Sequence, residues 1–313
     1  MKIKLLSTII AGVILAGCGS DNNNDVTVPK TKNTQVQAYD GAINGMVATY
    51  TCGEETGTTK TKTDGKGHVT VSSNAFADTP DQCSVVLSVP KGGKAVDMSN
   101  GKDMSNVVYS IPEGLLVAGQ KVAATPFTTL IAKTITSTGD SDVKTAMDAV
   151  FTELGLDSKL TEEEKLGLLT DPDATLDKLD PEVMKDVVAK TMVLSDVLVA
   201  QKDNEKLSLE EIATVTTTIA DDLVKKNPEF PTQTGSDKPI YVDLTTELSK
   251  PEIFNEAATG SVPEVIGEKT KPENIVVGEA LDPTNPPVDP NPGTGGTGGT
   301  GGTGGDDGDN PNG

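Results

Sequence analysis

The sequence predicts an α+β, multidomain chain: a small all-β sandwich closed by one disulfide, followed by an α-helical bundle, with disordered ends. Three observations carry that prediction. Short β-branched runs alternate with glycine and aspartate turns between residues 39 and 122. After Gly119 the apolar residues recur every three or four positions, the spacing of a helix face. Both ends are polar or glycine-rich, with too little apolar surface to offset the entropy of ordering the chain.

At the start, Lys2 and Lys4 precede an apolar run from Leu5 to Ala16, interrupted only by Ser7, Thr8 and Gly12. This is the layout of an export signal, and the run is shorter than the ~20 apolar residues that cross a bilayer. It closes on Leu15-Ala16-Gly17-Cys18, which resembles the bacterial lipobox. The resemblance implies signal cleavage between Gly17 and Cys18, acylation of the Cys18 sulfur with palmitate-type chains, and attachment of the mature protein to membrane lipid. Each buried methylene contributes ~0.8 kcal/mol, so several acyl chains make release negligible. Gly19 and Ser20, rather than an aspartate, follow the cysteine. The same resemblance therefore implies the outer membrane, at its cell-surface or its periplasmic face. Residues 1–17 are expected to be signal peptide, and residues 18–38 a lipidated cysteine with a disordered tether.

Residues 39–122 form the expected sandwich. Strand-like stretches run from Ile43 to Cys52, His68 to Ser73, Cys83 to Val89 and Val107 to Ile111, and Asp64-Gly65-Lys66-Gly67 is a hairpin turn. With Cys18 committed to lipid, Cys52 and Cys83 remain as an even pair in an oxidising compartment, which predicts a disulfide. Closing a loop of ~32 residues contributes roughly 3.5 kcal/mol in the chain-entropy account.

Residues 123–230 are expected to be helical. Thr125-Pro126 places a cap before a first-turn proline, with Phe127, Leu130, Ile131 and Ile135 on one face. A second helix starts at Ser141, buries Val143, Met147, Val150, Phe151 and Leu154, and ends at Gly155-Leu156 in a Schellman turn. Thr161 with Glu164 and Ser208 with Glu211 are capping boxes, the latter with Leu207 and Ile212 as a hydrophobic staple. Asp180-Pro181 opens a long helix through Val187, Met192, Leu194 and Val199, and Asn227-Pro228 stops the last one. Four or five such helices suffice for a bundle. Residues 231–281 mix prolines with short apolar clusters at Ile240 to Leu244 and Ile275 to Val277, an irregular segment that adds edge strands or packs along the surface. Residues 282–313, rich in proline, glycine, threonine and aspartate, are expected to be a disordered tail.

Two further resemblances rest on these residues. Tyr50-Thr51-Cys52-Gly53, the run from Thr61 to Val71, and Gln82-Cys83-Ser84-Val85 resemble the carboxypeptidase-regulatory-like and transthyretin-like β-sandwich modules of bacterial surface lipoproteins and adhesins. Ala124-Thr125-Pro126-Phe127-Thr128-Thr129-Leu130-Ile131, with Leu154-Gly155-Leu156 and Asp171-Pro172, resembles the helical segment that follows such a sandwich there. The resemblance implies a structural or display role and brings no catalytic residues with it. The large relatives continue into enzymatic or adhesive domains, whereas this chain runs on into the glycine-rich tail.

Composition narrows the function. The whole chain carries a formal charge of -21, and without residues 1–17, which hold two lysines and no acids, it stands at 24 - 47 = -23. It has no arginine and no tryptophan. Such a surface repels nucleic acid and lacks both phosphate clamps and the best stacking platform. His68 is the single histidine, which removes every multi-histidine metal site, and it reads as a strand residue beside a turn. Glu162-Glu163-Glu164 reads as a first-turn cluster complementing the helix dipole rather than as an acid/base pair. Asp140, Asp142 and Asp306, Asp307 and Asp309 form no calcium loop of the twelve-residue kind and read as helix-start and solubilising groups. No catalytic residue, metal or cofactor is expected. The expected function is that of a non-enzymatic, lipid-anchored envelope protein serving as a surface-display, spacer or interaction module. A glycan- or peptide-binding adhesin, or an assembly partner of another envelope protein, is the alternative.

Overall fold

The computed structural model describes residues 32–291, and the expectations for Gly17, Cys18, the signal segment and the tail after Asn291 lie outside them. In chain order come β1 (Asn33–Ala38), β2 (Ile43–Asn44), β3 (Val47–Cys52), β4 (Glu55–Thr58), β5 (His68–Ser72), α1 (Asn74–Asp78), a 3-10 turn at Pro80–Gln82, β6 (Cys83–Ser88), β7 (Val96–Asp97), β8 (Val108–Ile111) and β9 (Ala123–Ala124). The helices α2 (Pro126–Thr138), α3 (Val143–Glu153), α4 (Glu162–Thr170), α5 (Pro172–Leu176), α6 (Pro181–Ala200) and α7 (Leu209–Lys226) follow. A last region holds β10 (Ile240–Tyr241), α8 (Thr245–Leu248), α9 (Pro251–Ala258), α10 (Glu264–Lys269) and β11 (Val276–Val277). The architecture is α+β, with small sheets, a helical region after them and one disulfide.

Two sheets organise the strand region. One has the order β4-β3-β6-β8, all antiparallel; the other, β5-β1-β9, pairs β1 antiparallel with β5 and parallel with β9. Alternation decides which face turns inward. In β6, Cys83, Val85 and Leu87 are buried while Val86 is exposed, and in β5 Val69 and Val71 are buried between exposed Thr70 and Ser72. β3 and β6 set Cys52 directly opposite Cys83, and the two are joined with their Cα atoms 4.1 Å apart. That separation suits a narrow antiparallel pair.

β1 corrects the expected tether, which was to run to residue 38. Asn33 to Gln37 pair with β5, Ala38 pairs with Ala124 of β9, and Val36 and Ala38 are completely buried. The segment carries only one large apolar side chain, Val36, so its own composition cannot order it; the neighbouring strand does. The boundary at residue 122 also shifts in meaning, because β9, at the head of the helical region, completes the sheet of β1. The Asp64 turn is present, its side chain accepting from the N–H groups of Lys66 (2.8 Å) and His68 (2.9 Å). It leads β5 to β1 of the other sheet, however, and does not fold it back as a hairpin on β4.

The helices follow the local signals closely. Thr125 and Thr128 cap each other reciprocally at the start of α2, and the boxes at Thr161/Glu164 and Ser208/Glu211 are both formed. At the end of α3 the N–H of Leu156 donates to the Phe151 carbonyl and that of Gly155 to Thr152, with Gly155 at φ +66, which is the Schellman arrangement. The cap of α3 is Asp142 rather than Ser141. α6 and α7 pack along one another, and α2 lies against both β8 and α3. Strand and helix residues thus share a continuous apolar core, from Leu87 and Ile111 through Phe127 and Phe151 to Val193 and Ile219.

The last region resolves the expectation for residues 231–281. β10 and β11 do pair, while α8 to α10 supply Leu248, Phe254, Ala257 and Ile266 to the core, helices too short for periodicity to reveal. The expectation of a disordered tail from residue 282 is corrected for its described part. Residues 282–291 lie along the strand region, with the N–H of Leu281 just before them donating to Met98 (2.8 Å), that of Val288 to the Asn44 side chain (2.8 Å), and the Pro290 carbonyl accepting from Lys62 (2.8 Å).

Candidate functional site

A buried polar network lies where the strands meet α6. The turn after β1 supplies Asp40, β7 supplies Asp97, the loop after it Lys102, β8 supplies Tyr109, and α6 supplies Ser195 and Asp196. All six are at most 8 % exposed. The Tyr109 hydroxyl donates to Asp40 Oδ2 (3.0 Å) and shares a 2.7 Å hydrogen bond with Ser195 Oγ. Lys102 Nζ pairs with Asp196 Oδ1 at 2.6 Å, and the N–H of Leu244 donates to Asp196 Oδ2 (2.9 Å). Asp97 accepts from the N–H (2.8 Å) and hydroxyl (2.7 Å) of Ser99 and from Asn100 Nδ2 (2.8 Å). Gly41 passes so close that a Cβ there would collide with the Asp97 and Ser99 side chains, and its φ of +70 adds a second reason for glycine.

Three buried acids face one buried lysine, and burial sets their proton affinities. Burial pushes the Asp40 carboxyl up to about 8 against the pull of Lys102, with Asp97 adding to the rise. Asp97 is pushed up to about 6 by burial, restrained by its hydrogen bonds from Ser99. Burial also raises Asp196, against the opposing effect of Lys102. Lys102 loses by burial but gains more from Asp196 and Asp40, so its ammonium is held above the ordinary lysine value. Burial and the Asp40 charge raise Tyr109 well above an ordinary phenol. Burial thus favours the protonated form of Asp40 beside a neutral phenol, while Lys102 keeps Asp196 as its nearest partner. A pocket of about 230 Å³ opens beside the network, lined by Tyr39, Asp40, Thr191, Met192 and Ile240 among others.

The network can hold and exchange a proton, and it ties α6 to the strands. Its Ser195 hydroxyl shares a hydrogen bond with Tyr109, and the Asp40 carboxyl stands beside both. His68 stands elsewhere, on β5 opposite Gln37. Among the described residues no cluster of three or more His, Cys, Asp or Glu side chains is placed to hold a metal ion. Asp142 caps α3, its carboxylate accepting from the N–H of Lys144 (3.2 Å), and Asp140 accepts from that of Asp142 (3.0 Å). Glu164 closes its capping box, while Glu162 and Asp157 together hold the buried Lys165. Asp306, Asp307 and Asp309 lie outside the described residues.

None of the network was singled out from the sequence. One signal was there to be found: Ser195-Asp196 interrupts the apolar run from Met192 to Val199 on a helix buried around much of its circumference, a place where an acid must have a partner. The partner, Lys102, stands 94 residues away in a turn that reads as ordinary loop. No described helix is long and apolar enough to cross a membrane. No protein family, curated protein or solved structure matches the chain.

Proposed function

We propose that this chain is a non-enzymatic, lipid-anchored protein of the cell envelope, held at the outer membrane through acylated Cys18 and serving as a display, spacer or interaction module. The observation that carries the reading is Leu15-Ala16-Gly17-Cys18 at the end of the short apolar run behind Lys2 and Lys4. The joined Cys52 and Cys83 support it, because structural disulfides persist in exported proteins. The early start of β1 sharpens the geometry. Fourteen residues separate Cys18 from Asn33 (33 - 18 - 1), fewer than the expected tether. A sandwich module of the carboxypeptidase-regulatory-like kind remains part of the proposal for the strand region.

The test is metabolic labelling with an alkyne analogue of palmitate in a Gram-negative host, followed by membrane fractionation. The expected result is label on the wild-type protein in the outer-membrane fraction, and none on Cys18→Ser. Unlabelled wild-type protein released in soluble form would sink the reading. Protease treatment of intact cells then assigns the face: digestion of the body places it on the cell surface, and protection places it in the periplasm.

A further inference from the structure

The segment after β11 is bound to the strand region as a peptide would be. From Val276 to Asn291 no residue is buried, and Val276 and Val277 are each 41 % exposed. What holds the segment is its backbone. The N–H of Gly278 donates to Pro239, that of Glu279 to Asn100 and that of Leu281 to Met98, and the Pro290 carbonyl accepts from Lys62. Gly65 completes the seat, since a Cβ there would collide with the Pro283 carbonyl.

At its centre Asn44 reads one peptide unit. This side chain belongs to a completely buried residue on β2, and its Oδ1 accepts the N–H of Val288 (2.8 Å) while its Nδ2 donates to the Val288 carbonyl (2.9 Å). The second Nδ2 proton goes to Thr63 (2.8 Å). An amide that offers a donor and an acceptor side by side imitates the edge of a β-strand, and it recognises main chain without regard to side chain. Pro283, Pro286, Pro287 and Pro290 have no N–H and favour an extended backbone, so the segment reaches its bound shape with little entropy to lose. Val288, between them, offers the N–H that Asn44 captures.

We propose that the groove around Asn44 is a peptide-binding site that takes the Asp282–Asn291 segment of a second copy of this chain in place of its own. The second copy is the occupant because its segment carries the same backbone groups that Asn44 and Lys62 already bind. The segment can leave because no side chain of it is buried. A handful of hydrogen bonds, each a modest net contribution, holds it, and on its leaving the Asn44 amide is left wanting the same partners. At raised protein concentration the segments of other copies compete with the attached one for the groove. The inference goes beyond the anchor reading and does not depend on it.

The experiment mixes two full-length variants without lipid attachment and measures mass by native mass spectrometry and light scattering. Val288→Pro removes the captured N–H and keeps the groove; Asn44→Leu removes the reading amide and keeps the segment. Thr63 retains a partner in the second variant, since its carbonyl also accepts from Gly45 (3.1 Å). The expected result is that each variant alone is monomeric and that the mixture forms a one-to-one heterodimer, at least about tenfold enriched over either alone at the same concentration. Lys62→Pro, which removes the hydrogen bond to Pro290, serves as a second groove-defective partner should Asn44→Leu fail to fold. A mixture of folded variants that stays monomeric overturns the proposal. So does a dimer formed by the Asn44→Leu/Val288→Pro double variant, which has neither half of the contact.

Discussion

The strand region, residues 33–124, and the helical region, 125–226, lie against the same core but are secured by different means. In the helices, several ends are closed by residues within a few positions of them: Thr125 with Thr128, Thr161 with Glu164, Ser208 with Glu211, Gly155 at the end of α3. In the strands, the fastenings join residues far apart in sequence: Cys52 to Cys83, Asp40 to Tyr109, Lys102 to Asp196, Asn44 to Val288. Thin, short-stranded sheets bury little per residue and depend on cross-links between distant points, whereas a helix, though it too is stabilised mostly by packing, has the groups at its ends satisfied by residues within a turn. Damage should therefore be more costly in the first region, and each loss should be felt in two elements at once.

Lys102→Met gives the largest effect. It leaves Asp196 buried without its counter-charge, and the expected loss is about 3–5 kcal/mol in urea unfolding. The double variant Lys102→Met/Asp196→Leu should recover much of it, and a double variant no better than the single one would break the account of the pair. Removing the disulfide with Cys52→Ala/Cys83→Ala is expected to cost roughly 3.5 kcal/mol, checked by comparing oxidised wild type with the variant in the same titration.

Asp40 separates the regions by pH. Its folded value of about 8 lies above the ordinary 3.8, so the folded state holds a proton that the unfolded state releases between those values. Stability attributable to this group is undiminished below pH ~4, falls as pH rises from there, and is lowest above pH ~8. Asp97, pushed to about 6, adds the same sign between pH ~4 and 6. Asp40→Asn should accordingly match the wild type near pH 4 and melt higher than it at pH 9. Parallel melting curves across that range would show that Asp40 is not held protonated.

In the helices the effects shrink to local size. Ser208→Ala should cost ~1 kcal/mol through loss of the α7 cap, and Gly155→Ala, which forces a side chain into a left-handed turn at φ +66, about 1–2 kcal/mol. If either matched the loss from Lys102→Met, the contrast between the regions would fail.

Legibility followed the same division. Caps, the Schellman glycine, the Pro126 and Pro181 starts and the apolar stripes sit within one or two turns of one another, so the longer helices could be placed from the residues alone, with α3 starting one residue late. The Cys52–Cys83 pair was legible by elimination of Cys18. β1 was not, because Asn33-Thr34-Gln35-Val36-Gln37 becomes a strand only when β5 and β9 pair with it on either side. Nor was the seated segment Asp282–Asn291, whose prolines suppress regular structure and whose partners Lys62 and Asn44 lie 228 (290 - 62) and 244 residues earlier.

By itself, then, the amino-acid sequence determined the class of the fold, the ends of its longer helices, the disulfide partners, and the expectation of a lipidated cysteine at position 18. Each depends on residues that act through near neighbours, or on a count so small that no choice remains. Tertiary structure alone decided that Asp40, Asp97, Lys102, Tyr109 and Asp196 share one buried network, and that Asn44 holds Val288. Those meetings cost the desolvation of charges and amides that water would otherwise solvate, and only a folded core brings the compensating partner to each.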